Sequence, residues 1–213
     1  MNGHLSLDAV SIHLSGKVLV SPLTASIGPG QVLTIMGASG VGKSTLLAFV
    51  GGTLAPAFSA YGTVRINGRD MTGVAPEQRR IGVLFQDDLL FPHLSVAGNL
   101  AFGLAPGVRG AARRARIDDA LARAGLSGFG NHDPATLSGG QRARVSLLRA
   151  LLAEPHAILL DEPFSKLDRS LRQEFRAYVF DHCRQVGLPA LLVTHDEDDA
   201  MAARGPIVTL TAS

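Results

Sequence analysis

The chain has 213 residues, of which 46% are hydrophobic and 18% are charged. This length accommodates one large α/β domain, or a core domain with a smaller subdomain. The formal net charge of +2 is too small to indicate a protein that binds nucleic acid. Cys183 is the single cysteine, which excludes an internal disulfide and favours a reducing cytoplasm. The N-terminus has no basic region followed by an apolar one, and no apolar run approaches about 20 residues, so we expect neither a secretory signal nor a membrane span.

The first predicted element is an apolar strand at residues 32–36 that leads directly into a glycine-rich loop. Residues 37–44 read G-A-S-G-V-G-K-S and fit the phosphate-loop pattern G-x-x-x-x-G-K-[ST]. Glycines point backbone N–H groups at phosphates, and the helix predicted over residues 43–50 adds the positive end of its dipole. Lys43 would reach the β- and γ-phosphates, and the Ser44 hydroxyl would bind Mg²⁺. A chance glycine-rich turn is the alternative, which the flanking strand and helix disfavour. The predicted ATP-binding residues are Gly37, Ala38, Ser39, Gly40, Val41, Gly42, Lys43, Ser44 and Thr45.

A second buried strand, predicted at residues 81–85, ends at Gln86 and is followed by a change to helical periodicity. Four apolar residues recur at helical spacing, namely Ile117, Ala120, Leu121 and Ala124. Gly125 would end that helix. We therefore expect a helical subdomain over about residues 90–152, inserted into a sheet domain. The arginine cluster at residues 113–116 is typical of a solvated helix face, and we assign it no function.

The run L-S-G-G-Q at residues 137–141 predicts the start of a long helix with Ser138 as its N-cap. Such a start offers unpaired N–H groups, a hydroxyl and a helix dipole without bulky side chains, which is a second phosphate-binding end. A simple capped helix is the alternative. The full pentapeptide, placed just ahead of an acidic strand end, favours the phosphate-binding interpretation.

Two further apolar strands, at residues 157–160 and 190–194, end in residues with catalytic potential. Asp161 suits the acidic role that holds Mg²⁺, and Glu162 is the candidate general base that activates water for attack on the γ-phosphate. His195 follows the last strand. Because ligands bind beyond the carboxyl ends of parallel strands, we predict that these side chains meet Lys43 and Gln86 at one site. A solvated Asp-Glu turn and a structural histidine are the alternatives, which the phosphate loop disfavours.

With the phosphate loop ahead of L-S-G-G-Q and the acidic strand end after it, the chain resembles the ATP-binding cassette (ABC) ATPases over nearly its whole length. The resemblance implies one ABC nucleotide-binding domain over residues 1–213. Its fold is a P-loop core with a mixed, mainly parallel sheet, an antiparallel β part and an inserted helical subdomain.

The resemblance also implies roles for particular residues. The L-S-G-G-Q motif of one subunit closes over the ATP bound by a second subunit, which gives a nucleotide-dependent dimer. The residues that contact the other subunit's ATP would be Ser138, Gly139, Gly140 and Gln141. Gln86 matches the Q-loop glutamine that contacts Mg²⁺, and His195 matches the switch histidine. The loop at residues 165–168 matches the family's D-loop, with Asp168 as its aspartate at the dimer contact, although Lys166 stands where that loop more often has a small residue. Leu14 stands where the family usually has an aromatic residue that stacks on the adenine ring of ATP.

Residues 85–96, F-Q-D-D-L-L-F-P-H-L-S-V, resemble the bacterial importer ATPases, and the 133–152 stretch is similar to YnjD-type and thiamine-type importer subunits. This resemblance implies a subunit at the cytoplasmic face of the inner membrane, held there by transmembrane permease subunits and working with an external substrate-binding protein. Leu89, Leu90 and Phe91 are either part of the permease contact or part of the core. An exporter ATPase, or a non-transport ABC ATPase acting on DNA or ribosomes, are the alternative functions.

Overall fold

The computed structural model describes residues 3–85, 87–105 and 107–211, so Gln86 lies outside the described residues. The chain divides into two compact units. The first comprises Met1–Val83, His156–Glu162 and Phe180–Ser213, and the second comprises Leu84–Pro155 and Pro163–Val179. The predicted helical subdomain at 90–152 stays a prediction.

Nine strands occur in the described part of the chain: β1 (Leu5–Leu14), β2 (Lys17–Ile27), β3 (Val32–Met36), β4 (Phe58–Ile66), β5 (Arg69–Asp70), β6 (Ile81–Leu84), β7 (Ala157–Asp161), β8 (Ala190–Val193) and β9 (Ile207–Thr209). They form an antiparallel sheet in the order β2-β1-β4-β5 and a second sheet in the order β6-β7-β8-β3-β9. Pairings of β3 with β8 and β9, and of β7 with β8, are parallel. The four strands predicted from apolar runs are confirmed as β3, β6, β7 and β8.

The strands β3, β7 and β8 are buried on both faces, which explains why their sequences are mostly apolar, with the buried Thr34 as the polar exception in β3. All four residues of β8 are buried, and so are the first four of β3 and of β7. In this register Val193 pairs with Ile35 on one side and with Asp161 on the other. The carboxyl ends of the three strands therefore lie at one edge of the sheet.

Six helices occur in the described part of the chain: α1 (Lys43–Gly51), α2 (Val96–Gly103), α3 (Gly110–Arg123), α4 (Gly139–Leu152), α5 (Arg169–Val186) and α6 (Glu197–Ala203). The helix predicted over residues 43–50 is confirmed as α1. Its apolar residues share one buried core cluster with residues of both sheets, including Leu46, Val50, Ile12 and Leu159. Burial of this cluster fixes α1 within the first unit. None of the helices among the described residues is long and apolar enough to cross a membrane.

A buried arginine closes the C-terminal end of α1. Arg79 is 7% exposed and donates hydrogen bonds to the carbonyl oxygens of Phe49 at 3.1 Å, Val50 at 2.7 Å and Val74 at 2.8 Å. The last carbonyls of a helix have no partner within the helix, and a cation there also complements the helix dipole. Burial lowers the pKa of the Arg79 guanidinium. Arg79 thus stabilises the helix that carries Lys43 and Ser44.

The second unit contains α2, α3, α4 and most of α5. The predicted amphipathic helix is α3, which buries Ile117, Ala120 and Leu121. The arginine cluster at 113–116 on this helix is exposed, as predicted for a solvated face. Two of its members have partners within the unit, since Arg113 donates to the Ala101 carbonyl oxygen and Arg116 pairs with Glu154 at 2.8 Å.

Candidate functional site

Residues 37–42 form a tight loop between β3 and α1 that requires glycine at both ends. Gly42 has a φ of +100°, and a Cβ on it would lie 2.8 Å from Val20 Cγ2. Gly37 has a φ of +148°, and its Cβ would lie 2.6 Å from the Leu210 carbonyl oxygen. Residues 38–40 between them are exposed, and α1 begins directly after the loop. The loop therefore presents accessible backbone next to a helix N-terminus, which is suited to bind phosphate.

Lys43 is the first residue of α1 and folds over this loop. Its side chain is buried, and Nζ donates hydrogen bonds of 2.8 Å to the carbonyl oxygens of Gly37 and Ala38. An ammonium group carries three hydrogens, so these two bonds leave one for a phosphate oxygen. The loop carbonyls thus hold the Lys43 ammonium group against the loop at residues 37–42.

Ser44 and Asp161 bring together two oxygen ligands of the kind that Mg²⁺ prefers. The Ser44 side chain lies close enough to the Asp161 carboxylate to act on the pKa of that group. No group of three His, Cys, Asp or Glu side chains among the described residues is arranged to hold a metal ion. Mg²⁺ usually binds through only one or two protein ligands and completes its shell with water and substrate phosphates. The pair therefore fits a Mg²⁺ ion that enters together with a nucleotide.

The electrostatic surroundings of Asp161 combine burial with three nearby polar or charged groups. Burial raises the pKa of Asp161 above its ordinary value, and the negative charge of Glu162 raises it further. The Ser44 side chain and the positive charge of Lys43 act in the opposite direction. Because the net shift is upward, the carboxylate at this position is costly to ionise, and a bound cation would offset that cost.

Glu162 lies directly after β7 in a left-handed backbone conformation with a φ of +47°. This conformation is unfavourable for a residue with a Cβ, and such residues cluster at functional sites. The Glu162 N–H donates to the Val193 carbonyl oxygen at 2.9 Å, and Oε1 lies 2.9 Å from His195 Nδ1. The backbone bond and the side-chain bond together direct the carboxylate toward the end of β8.

His195 follows β8 in a turn that is fixed by hydrogen bonds on both sides. The Thr194 N–H donates to the Ile35 carbonyl oxygen, and its hydroxyl donates to Asp199 Oδ2 at 3.2 Å. The Asp196 N–H donates to the Thr194 hydroxyl at 3.0 Å, and the Asp196 side chain caps α6. The His195 side chain itself is 67% exposed. The turn thus holds an accessible imidazole next to Glu162.

The second predicted phosphate-binding element, residues 137–141, begins α4 in the second unit. The Gln141 N–H donates to Ser138 Oγ at 3.2 Å, and the Ser138 N–H donates to Gln141 Oε1 at 2.8 Å. These reciprocal bonds form a capping box, so the predicted N-cap at Ser138 is confirmed. Gly139 and Gly140 occupy the first two helical positions, where backbone N–H groups have no partner within the helix.

Asp168, the predicted dimer contact, lies at the start of α5. Its Oδ1 accepts a hydrogen bond from the Leu171 N–H at 3.0 Å, and its carbonyl oxygen accepts one from the Arg172 N–H at 2.8 Å. The same loop passes close to α4, because a Cβ on Gly140 would lie 3.2 Å from the Lys166 carbonyl oxygen. The D-loop and the L-S-G-G-Q turn are therefore neighbours within the second unit.

The structure brings most of the predicted catalytic residues together at the carboxyl edge of the parallel sheet. Lys43, Ser44 and Asp161 form one group, and Glu162 and His195 form a bonded pair beside Asp161. Sequence reasoning missed the supporting residues Thr194 and Asp199. Their one sequence signal was the run T-H-D-E-D-D at 194–199, in which a capping aspartate precedes acidic residues of a first helical turn.

Comparisons with known proteins agree with this architecture. A family model described as "ABC transporter" matches residues 20–165. The ABC transporter ATP-binding protein YnjD of Escherichia coli (strain K12) is 48% identical over 198 residues, covering 93% of this chain and 91% of the relative. The thiamine import ATP-binding protein ThiQ of Rhizobium meliloti (strain 1021) is 40% identical over 206 residues, covering 96% and 85%.

Solved structures give the same result for the fold. The dimeric ATP-binding cassette MJ0796, in a post-hydrolysis state bound to ADP and Pi, superposes with a TM-score of 0.82 at 31% sequence identity. The match covers 97% of this chain and 94% of that chain. The predicted α/β fold, with its mainly parallel sheet and antiparallel part, is thereby confirmed.

Proposed function

The chain belongs to the ABC transporter ATPases, which couple ATP hydrolysis to transport, and we propose that it is the ATP-hydrolysing subunit of a bacterial importer. The observation that carries the proposal is the strand-end cluster, in which Glu162 is hydrogen-bonded to His195 and Asp161 lies near Ser44 and Lys43 of the phosphate-loop helix. The importer class is supported by relatives named import ATP-binding proteins that match most of the chain.

In the proposed reaction the phosphate loop holds ATP and the strand ends act on it. The loop N–H groups and Lys43 bind the β- and γ-phosphates. Ser44, Asp161 and Gln86 would hold a Mg²⁺ ion, which would supply positive charge to the phosphate oxygens. Glu162 accepts a proton from water while the water oxygen attacks the γ-phosphorus, and the bond to the β–γ bridging oxygen breaks so that ADP leaves with that oxygen.

His195 has two parts in this proposal. Its Nδ1 is bonded to Glu162, which orients the carboxylate that receives the proton. A carboxylate only accepts hydrogen bonds, so Nδ1 carries the proton in this pair. The Nε2 atom, on the opposite edge of the imidazole ring, would then contact the γ-phosphate. His195 thus links the base to the group under attack.

The proposal includes a dimer that forms around two ATP molecules. In each half, the phosphate loop binds ATP and the partner copy supplies Ser138, Gly139, Gly140 and Gln141. The solved relatives of this fold are described as dimeric, which supports this arrangement. ATP drives closure because it binds the closed dimer better than the open one, and hydrolysis removes that difference. Asp168 lies at the contact between the copies.

We place the permease contact on the segment that follows Gln86. Leu89 is 58% exposed and Phe102 is 68% exposed, and the Phe91 ring packs against Phe102 at 4.7 Å between centroids. Phe91 is half-buried and also lies under the Arg149 guanidinium. An apolar surface of this kind is typical of a binding site for another protein. Through it the chain attaches peripherally at the cytoplasmic face of the inner membrane to permease subunits, which work with an external binding protein.

The test is to tag the chain in its own host, solubilise the membranes and identify the proteins that co-purify. We expect a polytopic membrane protein that carries two copies of this chain. Recovery with ribosomes or DNA and without a membrane partner would contradict the transport role and leave the ATPase chemistry intact. If the membrane protein that co-purifies belongs to an exporter and no binding protein is found with it, only the importer class would be contradicted.

A further inference from the structure

A nearly buried carboxylate in the second unit joins two cationic side chains from distant parts of the sequence. The Asp88 side chain is 13% exposed. Arg142 Nε lies 3.3 Å from its Oδ2, and Lys166 Nζ lies 3.6 Å from its Oδ1. Lys166 also lies 4.0 Å from Asp87 Oδ1. Asp88 therefore connects the segment after Gln86, the beginning of α4 and the D-loop.

Arg142 ties Asp88 to the turn that precedes α4. Its guanidinium also donates to the Leu137 carbonyl oxygen at 2.6 Å, one residue before the capping serine Ser138. Arg149, seven residues later on the same face of α4, donates to the Leu89 carbonyl oxygen at 3.0 Å. The segment at residues 88–89 is therefore fastened to α4 at two points.

Lys166 ties Asp88 to the D-loop. Its own carbonyl oxygen and the Leu167 side chain lie against Gly140, where an added Cβ would be 3.2 Å from each. Lys166 thus lies two residues before Asp168 and beside the glycines of the L-S-G-G-Q turn. The ion pair and the backbone contact together hold the D-loop against that turn.

We propose that Lys166 is a positioning residue for ATP hydrolysis, which acts through Asp88 to hold the D-loop and the L-S-G-G-Q turn as one rigid piece. The inference rests on the proposed function, in which both segments meet the nucleotide site of the partner copy. Loss of the Lys166 charge loosens that piece and slows assembly of the hydrolytic site. Nucleotide affinity at the phosphate loop is unchanged, because none of its residues belongs to this network.

The experiment compares ATP hydrolysis by the full chain and five variants, at a temperature well below the melting point of each. Lys166→Met removes the charge and keeps the aliphatic stem, while Lys166→Arg keeps the charge. Asp88→Asn, alone and combined with Lys166→Met, tests whether Lys166 acts through Asp88. Arg116→Met is the matched control, since it removes the ion pair with Glu154 in the same unit outside the network.

We expect Lys166→Met to lower kcat about two- to fivefold, the range that a partly exposed ion pair supports, with KM for ATP unchanged. Lys166→Arg restores kcat, Arg116→Met leaves it unchanged, and Lys166→Met has no added effect once Asp88→Asn is present. In a Glu162→Gln background, Lys166→Met weakens the ATP-bound dimer by a similar factor.

Three kinetic results would overturn the proposal: an unchanged kcat in Lys166→Met, additive effects of Lys166→Met and Asp88→Asn, or a raised KM for ATP. A lower kcat with an equally tight ATP-bound dimer would also overturn it. Failure of the proposed function looks different, because the parent chain would then show no hydrolysis that depends on Glu162.

Discussion

At the scale of single residues, Glu162 combines a strained backbone with a fixed side chain. A left-handed conformation costs a non-glycine residue about 1–3 kcal/mol, which the surrounding structure must offset. Here the Glu162 N–H is paired with the Val193 carbonyl oxygen and the carboxylate with His195. The strain therefore accompanies a carboxylate whose position is determined from both ends, which is what a general base requires.

Glu162→Gln tests this role. We expect ATP to bind with its parental affinity and turnover to fall by about 100-fold or more, because an amide cannot accept the proton from the attacking water. Nucleotide titration and phosphate release measure the two quantities. Glu77→Gln, on an exposed side chain of the same unit, is the control and should hydrolyse ATP like the parent. Parental turnover in Glu162→Gln would exclude Glu162 as the base.

Asp161→Asn tests the Mg²⁺ assignment and the effect of burial. The folded pKa of Asp161 lies above its ordinary value of 3.8, mainly through burial. The folded chain then binds more protons than the unfolded chain between these two values, so this group's contribution to the free energy of unfolding falls as the pH rises through that window. An asparagine at this position does not titrate, so its contribution to the free energy of unfolding does not fall as the pH rises. Its side chain can also hydrogen-bond with Ser44.

We therefore expect Asp161→Asn to be at least as stable as the parent at neutral pH and to lose Mg²⁺-dependent hydrolysis. Its stability advantage should shrink as the pH is lowered through the raised folded pKa toward the ordinary value of 3.8, because the parent carboxyl is then protonated in the folded state. Thermal melting across this pH range is the measurement. A variant that is less stable than the parent at neutral pH would show that the Asp161 charge is stabilising, contrary to the direction of the shift.

At the scale of elements, the N-terminus of α4 has both a structural and a proposed catalytic task. The Ser138 hydroxyl caps the helix, and the same hydroxyl is proposed to face the partner's nucleotide. Substitution by alanine would remove both functions at once. An aspartate is as good an N-cap as serine, but it places a negative charge where a phosphate would bind.

Ser138→Asp separates the two tasks. We expect the melting temperature to stay within about 2 °C of the parent, because the cap is retained. ATP hydrolysis should fall more than about tenfold through repulsion of the γ-phosphate. Ser95→Asp is the matched control, since Ser95 caps α2 by the same kind of bond, with Gly98 N–H as donor at 3.1 Å. Equal activity in the two variants would remove Ser138 from the nucleotide site.

At the scale of the whole molecule, the proposed hydrolytic site is completed only when two copies meet. The Glu162→Gln variant should therefore change from monomer to dimer when MgATP is added, because binding continues while turnover stops. Light scattering measures the molar mass with MgATP, with MgADP and without nucleotide. The same variant that also carries Ser138→Asp should remain monomeric. A monomer under all conditions would contradict the nucleotide-sandwich dimer.

The parallel sheet and the residues at its strand ends could be predicted from the sequence, because both correspond to short local sequence patterns. A strand buried on both faces is mostly apolar, so β3, β7 and β8 could be predicted from short runs of apolar residues, even though β3 includes the buried Thr34. The phosphate loop was equally visible, because only glycine tolerates the close approach of Val20 at Gly42 and of Leu210 at Gly37. Parallel topology then predicted that residues following these strands would meet, as they do for Asp161, Glu162 and His195.

The arrangement of the supporting side chains was decided by the tertiary structure alone. Arg79 bonds to a carbonyl 30 residues away, and Arg142 bonds to a carboxylate 54 residues away, so neither partner follows from spacing along the chain. From the sequence, Lys166 could be identified only as a lysine where the D-loop more often has a small residue. Its meaning arises from Asp88, because an ion pair depends on a distance in space that folding sets and that a local pattern does not contain.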